Sequence, residues 1–284
     1  MPLFGLMLNG YALQADDVEG RKSFGGSEKQ PVNVEAAGCS GALAARTYKP
    51  GNSFTDNAVR HLDSSNFRLM SWNIQKGKNL DLQTNMLDKI ADSDLVLLQE
   101  ASADMVFGSV DNVRYFKSFA SGYRTRKRHS GLFTLSTTPP LTQCNLQHIE
   151  PWLGTPKATM ITQYKTTKPN QTLVVANVHA INFTLGTRHF AEQFEHLAVV
   201  LRKHHGPIVL SGDLNTWSRR RQVIVSNFAE ELGLKPVFFP VDQRSQFMGK
   251  PVDHIYLRGL NYSDALVTLS DVSDHNPVSV TFSL

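Results

Sequence analysis

The sequence predicts an α/β protein in which β-sheets pack face to face with helices outside. Three observations carry this reading. Short apolar runs of strand length recur from Phe67 to the end of the chain. Two longer stretches, residues 184–205 and 217–232, show helical spacing instead. The 284 residues hold 41% AVILMFWYC and 19% DEKR, a globular composition that excludes collagen, coiled coil, wholesale disorder and a disulfide scaffold. The apolar runs are also too short for a membrane span, which needs about 20 residues.

Taken in order, residues 1–66 stand apart. They are rich in Gly, Ser, Asn and charge, with weak periodicity, and read as a partly irregular N-terminal extension with a short helix near 35–46. The main domain then runs over 67–284. Residues 67–72 read as a strand, and Leu80, Leu82, Met86, Leu87 and Ile90 give residues 80–91 helical spacing. Residues 94–99 contain LVLL, which suits a strand buried on both faces. Residues 109–121 read as a helix. Strands follow at 131–136, 158–164 and 172–179, then the helix at 184–205, a strand at 207–211 and the helix at 217–232. Strands at 252–257, 264–269 and 277–282 close the chain. Many strands with few helices between them suggest stacked sheets.

The formal net charge is +4, from 29 Lys+Arg against 25 Asp+Glu, which allows an anionic partner without requiring one. Cys39 and Cys144 are too few for a disulfide framework or a four-cysteine zinc site, and are expected to be free thiols in a reducing compartment. The opening MPLFGLMLNG lacks a basic flank and soon meets Asp16 and Asp17, a poor secretory signal, so a cytoplasmic location is expected.

Ionisable and amide side chains recur where strands end: Asn73, Glu100, His179, Asp213 with Asn215, Asp253, and Asp274 with His275. Each alone has a structural explanation as a turn former, a cap, a surface carboxylate or a satisfied core histidine. Six strand ends offering only Asn, Glu, Asp and His form the inventory for a hard divalent cation plus acid–base groups. Two basic runs, Arg124–Arg126–Lys127–Arg128–His129 and Arg219–Arg220–Arg221, read most simply as solvated surface. The second begins just after Asn215, so Arg219 and Arg220 are candidates for substrate binding, with a phosphate oxygen expected within reach of one arginine of the run.

The blocks WNIQ, LLQE, NVHA, SGDLNTW, VDHIY and SDHNPV resemble, in order, the motifs of the endonuclease/exonuclease/phosphatase superfamily. HAINFTLG, NTWSRRR, DQRSQF and GKPVDHIYLRGL are similar to its bacterial YafD-like branch. The resemblance covers about residues 67–284. It implies a DNase I-like four-layer α/β sandwich, two mostly antiparallel sheets flanked by helices, with the site at one edge. It implies Mg²⁺ or Mn²⁺ held by Glu100, Asn73 and Asp274. It also implies catalysis by Asp213, Asn215, His275, Asp253 and His179, with Asp253 pairing with His275. In DNase I-like members a carboxylate pairs with the His179-type histidine. Here only Glu150 is a candidate, by location.

The expected function is divalent-metal-dependent phosphodiester hydrolysis by in-line water attack, with a nucleic acid as the first substrate candidate. The alternatives are a phosphatase or phosphodiesterase acting on lipid headgroups, inositol phosphates or small nucleotides, and a non-catalytic binding module on the same fold.

Overall fold

The computed structural model describes Cys39 and residues 61–77, 86, 88–107, 115–126 and 128–284. Most of the N-terminal extension, including the helix expected near 35–46, lies outside the described residues apart from Cys39 and the segment from His61 onward.

Two six-stranded mixed sheets form the centre. The first contains β1 (Phe67–Asn73), β2 (Leu95–Ser102), β3 (Phe116–Arg124), β4 (His129–Ser136), β13 (Asn261–Val267) and β14 (Val278–Ser283), in the order β13-β14-β1-β2-β4-β3. The second contains β5 (Thr142–Ile149), β6 (Pro156–Lys165), β7 (Thr172–His179), β8 (Ile208–Asp213), β9 (Lys235–Pro236) and β12 (Asp253–Arg258), in the order β5-β6-β7-β8-β12-β9. A small hairpin joins β10 (Gln246–Phe247) to β11 (Lys250–Pro251). Pairing is antiparallel except for β1 with β2 and β7 with β8. Parallel neighbours need a crossover. Helix α1 (Arg188–Leu201) supplies it for β7 and β8, and helical residues at 86 and 88–90 lie in the crossover between β1 and β2. Helix α2 (Arg219–Glu231) follows β8.

Alternation along the central strands explains their continuous apolar text. In β1, Phe67 and Leu69 point between the sheets, with Leu95, Leu97, Val175, Val209, Ile255, Val280 and Phe282. Met70 and Trp72 point outward, with Val96, Leu98, Met86 and Ile90. On the far side, Val174, Ala176, Val178, Ile208 and Leu210 face Phe190, Phe194 and Leu197 of α1 and Val225 and Phe228 of α2. Both sheets are thus covered on both faces, giving the four layers expected.

Two expectations are corrected. Residues 116–121, read as helix, belong to strand β3; residues 109–114 of that reading lie outside the described residues. Ser118, Ala120 and Gly122 point inward at period 2, but as small residues they leave little apolar signal, and Phe116 and Phe119 imitate helical spacing. Strand β5, mostly polar, is an element the sequence reading did not place. Second, Cys39 and Cys144 are not free thiols. They form a disulfide with Cα atoms 5.4 Å apart, across a sequence separation of 105. Local sequence says nothing about two cysteines so far apart, and the return of Cys39 onto β5 decides it.

Candidate active site

Strand register assembles the site. His179 ends β7 opposite Asp213, which ends β8, and Asp213 lies opposite Asp253, the first residue of β12. In the other sheet Asn73 ends β1 opposite Gln99 of β2, one residue before Glu100. Side chains from both sheets therefore meet at one edge of the sandwich.

Asp213 is the centre. It is 3% exposed, and its Oδ2 accepts from Asn73 Nδ2 at 3.0 Å. Its Oδ1 accepts from the backbone N–H of Asn215 at 3.0 Å. His179 Nε2 lies 3.6 Å from Oδ2, and His275 Nε2 3.9 Å from the same oxygen. Burial, only partly offset by His275, pushes the Asp213 carboxyl up to about 6. The sharp approach of β8 to β7 depends on Gly212, at φ +143°, where a Cβ would meet the Val178 carbonyl oxygen at 2.0 Å.

His275 Nδ1 is 2.7 Å from Asp253 Oδ2. Burial opposes protonation of His275, but the Asp253 hydrogen bond and charge, with Asp213 and Asp274, outweigh it and push its pKa up to about 10. Asp253, itself raised by burial, is braced from behind: Arg244 Nη1 donates to its carbonyl at 3.2 Å and reaches His254 Nδ1 at 3.2 Å. His254 Nε2 shares a 2.7 Å hydrogen bond with Thr216 Oγ1.

Glu100 sits at a bulge where β2 slips against β4 and adopts φ +54°. A positive φ on a non-glycine residue beside a site is the kind of local strain that aims a side chain. Its carboxylate has Lys76 Nζ at 3.7 Å and His179 Nε2 at 3.9 Å, both beyond hydrogen-bond range. Asn73 Oδ1 accepts from Gln75 N at 3.1 Å, and Gln75 Nε2 donates to exposed Asp274 at 3.0 Å, so Asn73 and Asp274 are linked through one glutamine. Among the described residues no three His, Cys, Asp or Glu side chains converge tightly enough to hold a metal alone. Glu100, Asn73 and Asp274 supply only oxygen ligands for a cation, which fits Mg²⁺ or Mn²⁺, ions that keep waters and borrow substrate oxygens.

Asn215, at φ +48°, turns the chain after Asp213, and its Nδ2 donates to the Ala180 carbonyl at 2.9 Å. Arg221 of the second basic run is buried. Its guanidinium donates to the carbonyls of Ile181, Asn182 and Asn215 and stacks over Phe190 and Trp217. Trp217 in turn donates to Asn182 Oδ1. Arg219 and Arg220 are exposed in the first turn of α2. Glu150 does not pair with His179. Its carboxylate accepts from the N–H groups of Asn182 and Phe183 and from Thr155. The partner of His179 Nε2 is Lys157 Nζ, at 2.9 Å. Sequence reasoning missed Lys157, Lys76, Gln75 and Arg244; a pocket residue on a strand looks like any half-exposed lysine until the fold is known.

The fold places the chain among the DNase I-like α/β sandwiches. More narrowly, residues 70–275 match the Endonuclease/Exonuclease/phosphatase family, and the chain belongs to it. A UPF0294 protein of Vibrio parahaemolyticus is 38% identical over 231 residues, covering 78% of this chain and 79% of the relative. Another, from Yersinia enterocolitica, is 36% identical over 221 residues, covering 76% and 83%. These relatives form the YafD-like branch to which the chain belongs. Among solved structures, the human Nocturnin catalytic domain with bound sulfate superposes with TM-score 0.60 at 17% identity, covering 77% of this chain and 94% of that one. ANGEL2, a 2',3'-cyclic phosphatase, gives 0.56 at 17% identity, covering 77% and 95%. Likenesses at this identity establish the fold.

Proposed function

We propose that the chain is a divalent-metal-dependent phosphodiesterase acting by in-line attack of water, with nucleic acid as its first candidate substrate. The observation that carries this reading is the crowding around Asp213, where Asn73 donates to one carboxylate oxygen and His179 and His275 stand 3.6 and 3.9 Å from the same atom. Asp213 orients the attacking water and passes its proton into the Asp213–His275–Asp253 chain, while the P–O bond opposite breaks and the departing alkoxide takes a proton from solvent. Asp253 fixes the orientation of His275 through Nδ1 and stabilises its protonated form. Asn215 and His179 border the phosphoryl group as it passes between nucleophile and leaving oxygen. Glu100, Asn73 and Asp274 would hold the cation, which neutralises charge developing on the phosphate when bound. Exposed Arg219 and Arg220 are placed to meet flanking phosphates.

The decisive experiment is nicking of supercoiled plasmid in Mg²⁺ and in Mn²⁺, wild type beside Asp213→Asn, with an EDTA control. Metal-dependent nicking lost in the variant is expected. Nicking that persists in Asp213→Asn would overturn the site, and absence of nicking in the wild type would move the weight to other phosphodiesters.

A second reading has its own observation. Leu153 and Phe183 line the mouth of the pocket beside Glu100 and His179, and their chain neighbours Trp152 and Leu185 are also exposed. An apolar rim around a phosphate site suits an amphiphilic diester such as a phospholipid headgroup. Turnover on anionic and zwitterionic phospholipid vesicles, compared with plasmid at rising salt, separates the two: nuclease activity should fall steeply with salt.

The disulfide favours an oxidising compartment over the cytoplasm expected from the sequence.

A further inference from the structure

We propose that Lys157 is a substrate-binding residue of this site, its ammonium holding a non-bridging oxygen of the scissile phosphate; the inference rests on the phosphodiesterase reading. Lys157 lies near the start of β6, and its Nζ is 2.9 Å from His179 Nε2. An ammonium only donates, so Nε2 accepts this contact. The same Nε2 faces Asp213 at 3.6 Å and Glu100 at 3.9 Å. The ammonium is therefore one hydrogen bond away from the nitrogen that borders both carboxylates.

Three features separate this lysine from a structural one. It has no ion-pair carboxylate among the described residues; its polar contact is a ring nitrogen. It lines a pocket of about 410 Å³ that opens from Glu100 and His179 toward Lys76, Tyr123 and Arg128. The other carboxylate on that pocket wall, Glu150, already accepts from two backbone N–H groups and Thr155. Three cations, Lys76, Arg128 and Lys157, share the pocket with two carboxylates, Glu100, which has Lys76 at 3.7 Å, and Glu150, which is turned onto backbone N–H groups and Thr155. Lys157 feels the charge of Asp213 but has no carboxylate within ion-pair distance among the described residues, so a phosphate oxygen arriving in the pocket would be its first directly bonded anion. The pocket's balance of charge fits a phosphate group, and Lys157 is the cation nearest the reacting end. His179 acts on Lys157 by fixing where the ammonium points, which places a positive charge where the carboxylate partner of this histidine was expected.

The test uses the full chain in Mn²⁺ with bis(p-nitrophenyl) phosphate. Lys157→Met should lower kcat/KM about 100-fold, the size of one charge-assisted hydrogen bond to the transition state, with its urea midpoint close to that of wild type. Lys157→Arg should retain more activity than Lys157→Met. Ethylammonium should restore Lys157→Ala at least about tenfold and leave Asp213→Asn inactive. Titration of inorganic phosphate into the protein in EDTA reads the same contact without turnover, and should be about tenfold weaker in Lys157→Met. Lys157→Met within threefold of wild type in both assays overturns the assignment while the Asp213 site stands. So does a folded Lys157→Ala that ethylammonium does not restore. Turnover that Asp213→Asn leaves intact overturns the phosphodiesterase reading and this inference with it.

Discussion

His275 illustrates how much of the site depends on single contacts. Its Nδ1 is spoken for by Asp253 at 2.7 Å, leaving Nε2 to face Asp213. Asp253→Asn should therefore reduce turnover about 10²–10⁴-fold with little change in the unfolding midpoint. His275→Ala should likewise cost far more activity than stability, which side-by-side kinetics and urea titration would read. Residues of this kind were legible in the sequence because their chemistry is unusual next to apolar strands. Lys157 and Gln75 were not, since lysine and glutamine are ordinary surface residues until a fold directs them into a pocket. Other residues contribute to the pH dependence of stability, among them His254, which burial pushes down to about 4, and His148. Burial, with His196 beside it, pushes His148 down to about 4. Between pH 6.5 and about 4 the unfolded chain binds a proton there that the folded chain refuses, so stability falls as pH drops through this window. His148→Gln should reduce the stability slope between pH 4.5 and 6.5, leaving the part due to His254, and leave it unchanged above 7, as urea midpoints across pH would show.

At the scale of elements, the loop after β7 is pinned from three sides. Glu150 takes its N–H groups, Arg221 of α2 takes its carbonyls, and Gln193 of α1 bonds Ile181 N and the His179 carbonyl. Arg221 was grouped in the sequence with Arg219 and Arg220 as one basic run. The helix separates them: Arg221 turns inward, while its two neighbours face solvent. Arg221→Met should destabilise the protein by about 2–4 kcal/mol because it orphans buried carbonyls, whereas Arg220→Met should stay within about 0.5 kcal/mol. Thermal or urea unfolding distinguishes them. Helix α1 was legible because Phe190, Phe194, Leu197 and Leu201 repeat on one face. Strand β3 was not, because its inward side chains are small.

Over the whole molecule, both sheets are enclosed, and among the described residues no helix is long and apolar enough to cross a membrane. The Cys39–Cys144 link closes a loop with a sequence separation of 105 and ties the chain ahead of β1 to the edge strand β5. Cross-links over loops of this length stabilise chiefly by restricting the unfolded chain. Cys144→Ser, or full reduction, should cost about 2–5 kcal/mol. Unfolding midpoints with and without reductant, beside a thiol count on the unreduced protein, would check this.

The sequence by itself determined the α/β class, the order of most strands and helices, and the chemical inventory of the site. Those properties are local: alternation, helical spacing and an Asp or His after an apolar run are written within a few residues. Tertiary structure alone decided that His179, Asp213 and Asp253 stand level on three neighbouring strands. It also decided that Lys157 rather than a carboxylate meets His179, that one arginine of three is buried, and that the two cysteines are joined. Each of these depends on strand register or on the meeting of segments far apart in the chain. A shift of one residue in register would send every side chain of a strand to the opposite face.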